Sequence, residues 1–79
     1  MSDFKIAKML DCKGLLCPMP IVRTKKAMDE IKVGDILEVV TTDQGSMPDI
    51  AAWAHQTSHD LLQSIDEGTQ YRFFIKKTH

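Results

Sequence analysis

CPMPIVRTKKAMDEIKVGDILEVVTT, residues 17–42, decides how this chain folds. It opens with a cysteine ahead of two prolines, runs through an amphipathic segment, turns at a glycine and closes on β-branched residues. Proline suits the first turn of a helix, where its missing N–H has no intrahelical partner to lose. That places Cys17 at a helix N-cap, with Pro18, Met19 and Pro20 as the first three helical positions. Residues 18–31 read as the first helix. Ile21, Thr24, Met28 and Ile31 fall on one face, flanked by Val22 and Ala27, while Arg23, Lys26, Asp29 and Glu30 take the other. Val33-Gly34-Asp35 ends it, with Gly34 as the left-handed residue. Residues 36–42 then read as a strand.

The pattern extends both ways. Upstream, Phe4, Ile6, Lys8 and Leu10 alternate with Lys5, Ala7, Met9 and Asp11, which predicts a first strand. Lys13-Gly14-Leu15-Leu16 is the connecting loop, and Gly14 supplies the backbone freedom for its reversal. Downstream, Asp43-Gln44-Gly45 is a turn. Ser46-Met47-Pro48-Asp49 resembles a capping box, with Ser46 at the N-cap. A second helix follows over 47–58, burying Ile50, Trp53, Ala54 and Thr57. Residues 59–65 form a third strand, Asp66-Glu67-Gly68-Thr69 a hairpin turn, and Tyr71, Phe73 and Ile75 mark the inner face of a fourth strand. Phe74 is then expected on the open face with Arg72 and Lys76, a candidate contact surface.

The order is β-α-β-α-β-β. Strands joined through helices imply parallel pairing with right-handed crossovers, and the last two strands form a hairpin. Two helices cannot cover both faces of a sheet. The expected class is therefore α+β: a two-layer α/β sandwich with two helices packed on one face of a four-stranded mixed sheet.

With 79 residues the chain is expected to be a single domain spanning 1–79 and a monomer. A chain this short buries only about 60% of its unfolded surface, so its core is small. A net charge of -1 gives no general attraction to nucleic acid or membranes. No apolar run approaches transmembrane length and no signal peptide is visible, so a cytoplasmic location is expected. There, two cysteines are more often free thiols than a disulfide.

Cys17 carries the chemistry. A thiol at a helix N-terminus sits at the positive end of the macrodipole, which favours the thiolate. With two prolines donating nothing, the available N–H groups are those of Met19 and Ile21, and the sulfur is expected to accept from Met19. Lys13, four residues upstream, adds positive potential. These features predict a lowered thiol pKa. The bland alternative is a small hydrophobe that happens to start a helix.

The stretch Leu10-Asp11-Cys12-Lys13-Gly14-Leu15-Leu16-Cys17-Pro18-Met19-Pro20 resembles the signature of the TusA/SirA-like sulfur-carrier family. That signature is a leucine-aspartate pair, a glycine-leucine pair, and cysteine-proline-any-proline opening the first helix. The similarity continues through Thr42-Asp43, Asp49, Trp53 and His59. The resemblance implies a sandwich similar to the C-terminal domain of a bacterial translation initiation factor. It also implies that Cys17 carries sulfane sulfur as a persulfide. A donor protein, such as a cysteine desulfurase or a rhodanese, would load it and an acceptor protein would unload it, by the logic of thiol–disulfide exchange. No cofactor and no metal are then required. The family often has glycine before the histidine, where this chain has Ser58, so the end of the second helix must form without it.

Other residues have competing readings. Cys12 is a buried filler, a resolving thiol for Cys17, or a second sulfur site. Arg23, Lys25 and Lys26 are a solvated helix face or, with Arg23 and Lys26 foremost, a docking patch for an acidic partner. In a parallel arrangement the Thr42-Asp43 loop approaches Cys17. There Asp43 would oppose the thiolate, which favours turn capping or partner contact for it. His59 is a general acid or a structural histidine, and Trp53 reads as core. Cys12, Cys17, His55, His59 and His79 lack metal-ligand spacing. Two further functions compete with the sulfur carrier: an interaction module without transfer chemistry, and a Cys12/Cys17 dithiol switch.

Overall fold

The computed structural model describes residues 5–79, so Phe4 lies outside the described residues. The elements are β1 (Ile6–Cys12), α1 (Met19–Asp29), β2 (Ile36–Thr41), α2 (Ser46–Thr57), β3 (Asp60–Asp66) and β4 (Tyr71–Lys76). They form a four-stranded mixed sheet in the order β1-β2-β4-β3. β1 and β2 are parallel, as a helical crossover requires. β2 and β3, also joined through a helix, are not paired. β4 turns back from the hairpin and lies between them, antiparallel to both.

Both helices pack on one face, α1 against β1 and β2, and α2 against β3 and β4. The core between the layers is built from Cys12, Ala27, Met28, Ile31, Leu37, Val39, Ile50, Phe73 and Ile75. These are the alternate residues of the strands and the expected faces of the helices. Val22 is the exception on α1: it is half exposed, because Ala27 and not Val22 turns toward the sheet.

The open face differs from expectation. Phe74 is buried, only 6% exposed. β4 is an interior strand, and Phe74 lies between Glu38 of β2 and Gln63 of β3. Beside it, Arg72 pairs with Glu38 and, at 3.2 Å, with Glu67. Neighbouring side chains close over the ring where no helix does.

The ends of α2 also depart from the simple pattern. Ser46 is the first helical residue and Gly45 the N-cap. The Ser46 hydroxyl is buried, donates to the Asp43 carbonyl at 2.6 Å and shares a hydrogen bond with Thr41. At the other end Ser58 takes the left-handed conformation at φ 63, the place glycine favours.

Candidate functional site

β1 and β2 run parallel, so the loops that follow them emerge at the same edge of the sheet. Two hydrogen bonds join them. Thr42 Oγ1 accepts the N–H of Gly14 at 2.9 Å. Asp43 Oδ2 accepts the N–H of Cys17 at 3.1 Å, while its Oδ1 accepts the N–H of Gly45, also at 3.1 Å. Gly14 has φ 82, a conformation that L side chains rarely adopt, and this turn presents its N–H to Thr42. Asp43 is thus a capping residue with both oxygens engaged, one holding the backbone of the cysteine.

Cys17 is exposed and free. It is not the N-cap. Pro18 is, and α1 begins at Met19, so the thiol stands one residue before the cap. The Cys17-Pro18 peptide bond is cis. The expected donors are used elsewhere. The Met19 N–H donates to the Leu16 carbonyl at 2.9 Å, and those of Ile21 and Val22 to the Pro18 carbonyl at 3.1 Å. The sulfur therefore does not receive the N–H bond expected from Met19.

Acidic neighbours take the place of those donors. Asp49, in the first turn of α2, holds the pKa of the thiol above its ordinary value. Interaction with the Asp49 side chain is the main cause, followed by desolvation and by the Asp49 and Asp43 charges. A thiolate here would face two anions, which favours the protonated thiol. The expectation of a lowered pKa is overturned. Lys13 does not offset this, because its ammonium lies 4.0 Å from Asp11. Asp49 is the residue that reading the sequence missed as part of the site. Its place in the first turn of α2 was legible; its influence on Cys17 depends on how α1 and α2 lie side by side on the sheet.

The remaining candidates are dispersed. Cys12 is fully buried in the core at the end of β1, where burial pushes its thiol up against the opposing pull of Arg23. Arg23 and Lys26 line a groove beside β1 with Lys8, Leu10, Val22, Ala27 and Glu30, and Lys8 pairs with Glu30. Trp53 is half buried; it packs on the core and lines a second groove between the helices with Ile21, Val22 and Lys25. His59 lies past the far end of α2, with about 12 Å of helix between Asp49 and Thr57. Its Nδ1 accepts the Thr78 N–H at 3.2 Å and its ring stacks on His79 at 4.5 Å. That is a structural setting. Leu16, Met19 and Val22, all exposed, place apolar surface next to Cys17 and along α1.

Among the described residues no cluster of three or more His, Cys, Asp or Glu is arranged to hold a metal ion. No helix among them is long and apolar enough to cross a membrane.

The fold and site define a class: a two-layer sandwich that presents an exposed cysteine just before its first helix, outside the two grooves that flank that helix. Known proteins of this form place the chain further. A family model described as "Sulfurtransferase TusA" matches residues 8–77, and the chain belongs to that family. It is 56% identical over 73 residues to a putative sulfur carrier protein, YrkI, of Bacillus subtilis, covering 92% of this chain and 97% of the relative. It is 44% identical over 78 residues to the sulfur carrier protein TusA of Allochromatium vinosum, covering 99% and 100%. The crystal structure of a SirA-like protein from Desulfitobacterium hafniense shares the fold, with a TM-score of 0.78 at 20% identity over 91% of this chain and 99% of that one.

Proposed function

We propose that this chain is a sulfur carrier that accepts sulfane sulfur on Cys17 as a persulfide from a donor protein and passes it to an acceptor protein. The observation that carries the reading is the setting of Cys17. It is the exposed thiol of the pair, on a loop whose backbone Asp43 and Thr42 hold in place. A nucleophile serving its own small substrate would sit in a pocket with polar groups converging on the reacting atom. A thiol that must enter the active site of one protein and then of another has to project instead.

The surroundings suit brief docking. Leu16, Met19 and Val22 supply apolar contact near the thiol, and the groove carrying Arg23 and Lys26 adds positive charge along the same helix. Such a surface speeds association with an acidic partner. The sulfur travels covalently on Cys17, so the reading needs no cofactor and no metal. A raised thiol pKa suits a carrier, since a protonated thiol resists adventitious oxidation until a partner engages it.

Incubation with a cysteine desulfurase and free cysteine, followed by intact mass measurement, tests the proposal. The wild-type chain should gain the mass of one sulfur atom. A Cys17→Ala variant that gains sulfur equally well contradicts it.

A further inference from the structure

Two buried hydroxyls stand behind the residue that holds Cys17. Thr41, the last residue of β2, lies on the core face between Cys12 of β1 and Tyr71 of β4, and Ser46 opens α2. Both side chains are buried, and they are hydrogen-bonded to each other. The direction of that bond follows from its neighbour. A hydroxyl has one proton to donate, and that of Ser46 goes to the Asp43 carbonyl at 2.6 Å. Thr41 is therefore the donor to Ser46 Oγ. The chain runs one way, from Thr41 through Ser46 to Asp43, an arrangement in which each bond polarises the next.

Asp43 is fixed at main chain and side chain alike. Its carbonyl accepts the Ser46 N–H at 3.0 Å as well as the hydroxyl. Its carboxylate accepts the N–H groups of Gly45 and Cys17, each at 3.1 Å. Neither hydroxyl is in the usual service of a helix or a core. A serine at a helix start commonly accepts a free N–H of its own helix. α2 has no side-chain cap bond, and Ser46 donates back to the loop instead. In a core, an apolar pair of the same shape would be nearly neutral for stability. What the hydroxyls add is a fixed place for Asp43.

A projecting thiol has no pocket to orient it, so the backbone beneath it must. We propose that Thr41 and Ser46 are positioning residues for Cys17, locking Asp43 so that its carboxylate holds the cysteine loop in one place for sulfur transfer. This inference rests on the sulfur-carrier reading above. Both residues act through Asp43.

The test compares Thr41→Val, which keeps the shape and removes the hydroxyl, with Thr41→Ser, which keeps the hydroxyl and removes a buried methyl. Each is measured as a folded chain, checked by circular dichroism. Two readouts are taken on the Cys17 peptide by mass spectrometry. The first is the pH midpoint of alkylation by iodoacetamide. The second is the rate of sulfur uptake from a cysteine desulfurase divided by the alkylation rate at the same pH, which cancels the thiolate fraction. In Thr41→Val this ratio should fall by about fivefold, short of the roughly hundredfold that an ångström of misplacement can cost. The midpoint should move to lower pH, because a carboxylate no longer held at the Cys17 N–H opposes the thiolate less. Asp49, which acts on the same thiol, is kept in both variants. Thr41→Ser should match wild type in both readouts. On an Asp43→Asn background, Thr41→Val should leave the midpoint unmoved, since it acts through that charge. Either readout unchanged in Thr41→Val, an equal change in Thr41→Ser, or a further midpoint shift beside Asp43→Asn overturns the assignment. A wild-type chain that takes up no sulfur defeats the carrier reading, and the midpoint then decides the positioning by itself.

Discussion

The backbone N–H of Cys17 donates to Asp43 Oδ2 at 3.1 Å, across 26 residues of sequence. The same carboxylate holds the N–H of Gly45, so one side chain fixes both the cysteine loop and the start of α2. Asp43→Ala leaves both donors without their partner. A loss of about 1–2 kcal/mol in stability is expected, read from urea unfolding. Unchanged stability means that water replaces the carboxylate fully.

The two thiols should respond unequally to a thiol reagent. Cys17 is exposed and Cys12 fully buried. Under native conditions one equivalent of a disulfide reagent such as Ellman's should react promptly, and the second only on unfolding. Two thiols reacting together would place Cys12 within reach of solvent and revive the dithiol switch.

Ser58 occupies a left-handed position without glycine's freedom. Ser58→Gly should raise stability by about 0.5–1 kcal/mol, the gain from relieving φ 63 being partly offset by a freer unfolded chain. The backbone N–H of Ser58 bonds to the His55 carbonyl, a contact that glycine keeps. A lower urea midpoint contradicts this.

Stability should fall with acidification. Burial holds His59 below its ordinary value, aided by the His79 and Lys77 charges. Hydrogen bonds from Arg72 and then Gln70 hold Glu67 low, and Lys8 does so for Glu30. In each case the unfolded chain takes up protons more readily than the folded one. Stability is therefore complete above the unfolded pKa and is lost as pH falls through the folded one. Loss begins below about pH 6.5 from His59, and the carboxylates add to it below about pH 4.5. Urea midpoints measured from neutral pH downward should decrease over both ranges. A midpoint that rises on acidification contradicts the assigned shifts.

Phe74 should behave as core despite lying on the sheet face away from the helices. Phe74→Ala is expected to cost about 3 kcal/mol, at the low end for a buried phenylalanine, because that face has no helix to form a closed cavity. A cost under about 1 kcal/mol would mean that the Arg72–Glu38–Glu67 group does not shield the ring.

Local periodicity made most of the fold legible. The alternation around Tyr71, Phe73 and Ile75, and the helical faces through Thr24, Met28, Ile50 and Ala54, are the observed core. Phe74 was misjudged because alternation assigns a side of the sheet, whereas burial on that side depends on which strands flank β4. Cys17 was legible from its motif. Its electrostatics were not, because an N-cap argument counts N–H groups along one helix. Here the carbonyls of Leu16 and Pro18 consume those groups, and Asp49 arrives from another element. The pairing of Asp43 with Cys17 stood between these cases: parallel topology brings their loops to one edge, but the bond needs the three-dimensional structure.

Peptide-resolved mass spectrometry of a loaded and then discharged chain tests the central claim most directly. After exposure to a desulfurase and cysteine, the added sulfur should lie on the peptide containing Cys17. It should leave that peptide when an acceptor thiol is supplied, returning Cys17 to the free thiol. Sulfur found on Cys12, or sulfur on Cys17 that no thiol removes, would contradict the account of this protein as a carrier.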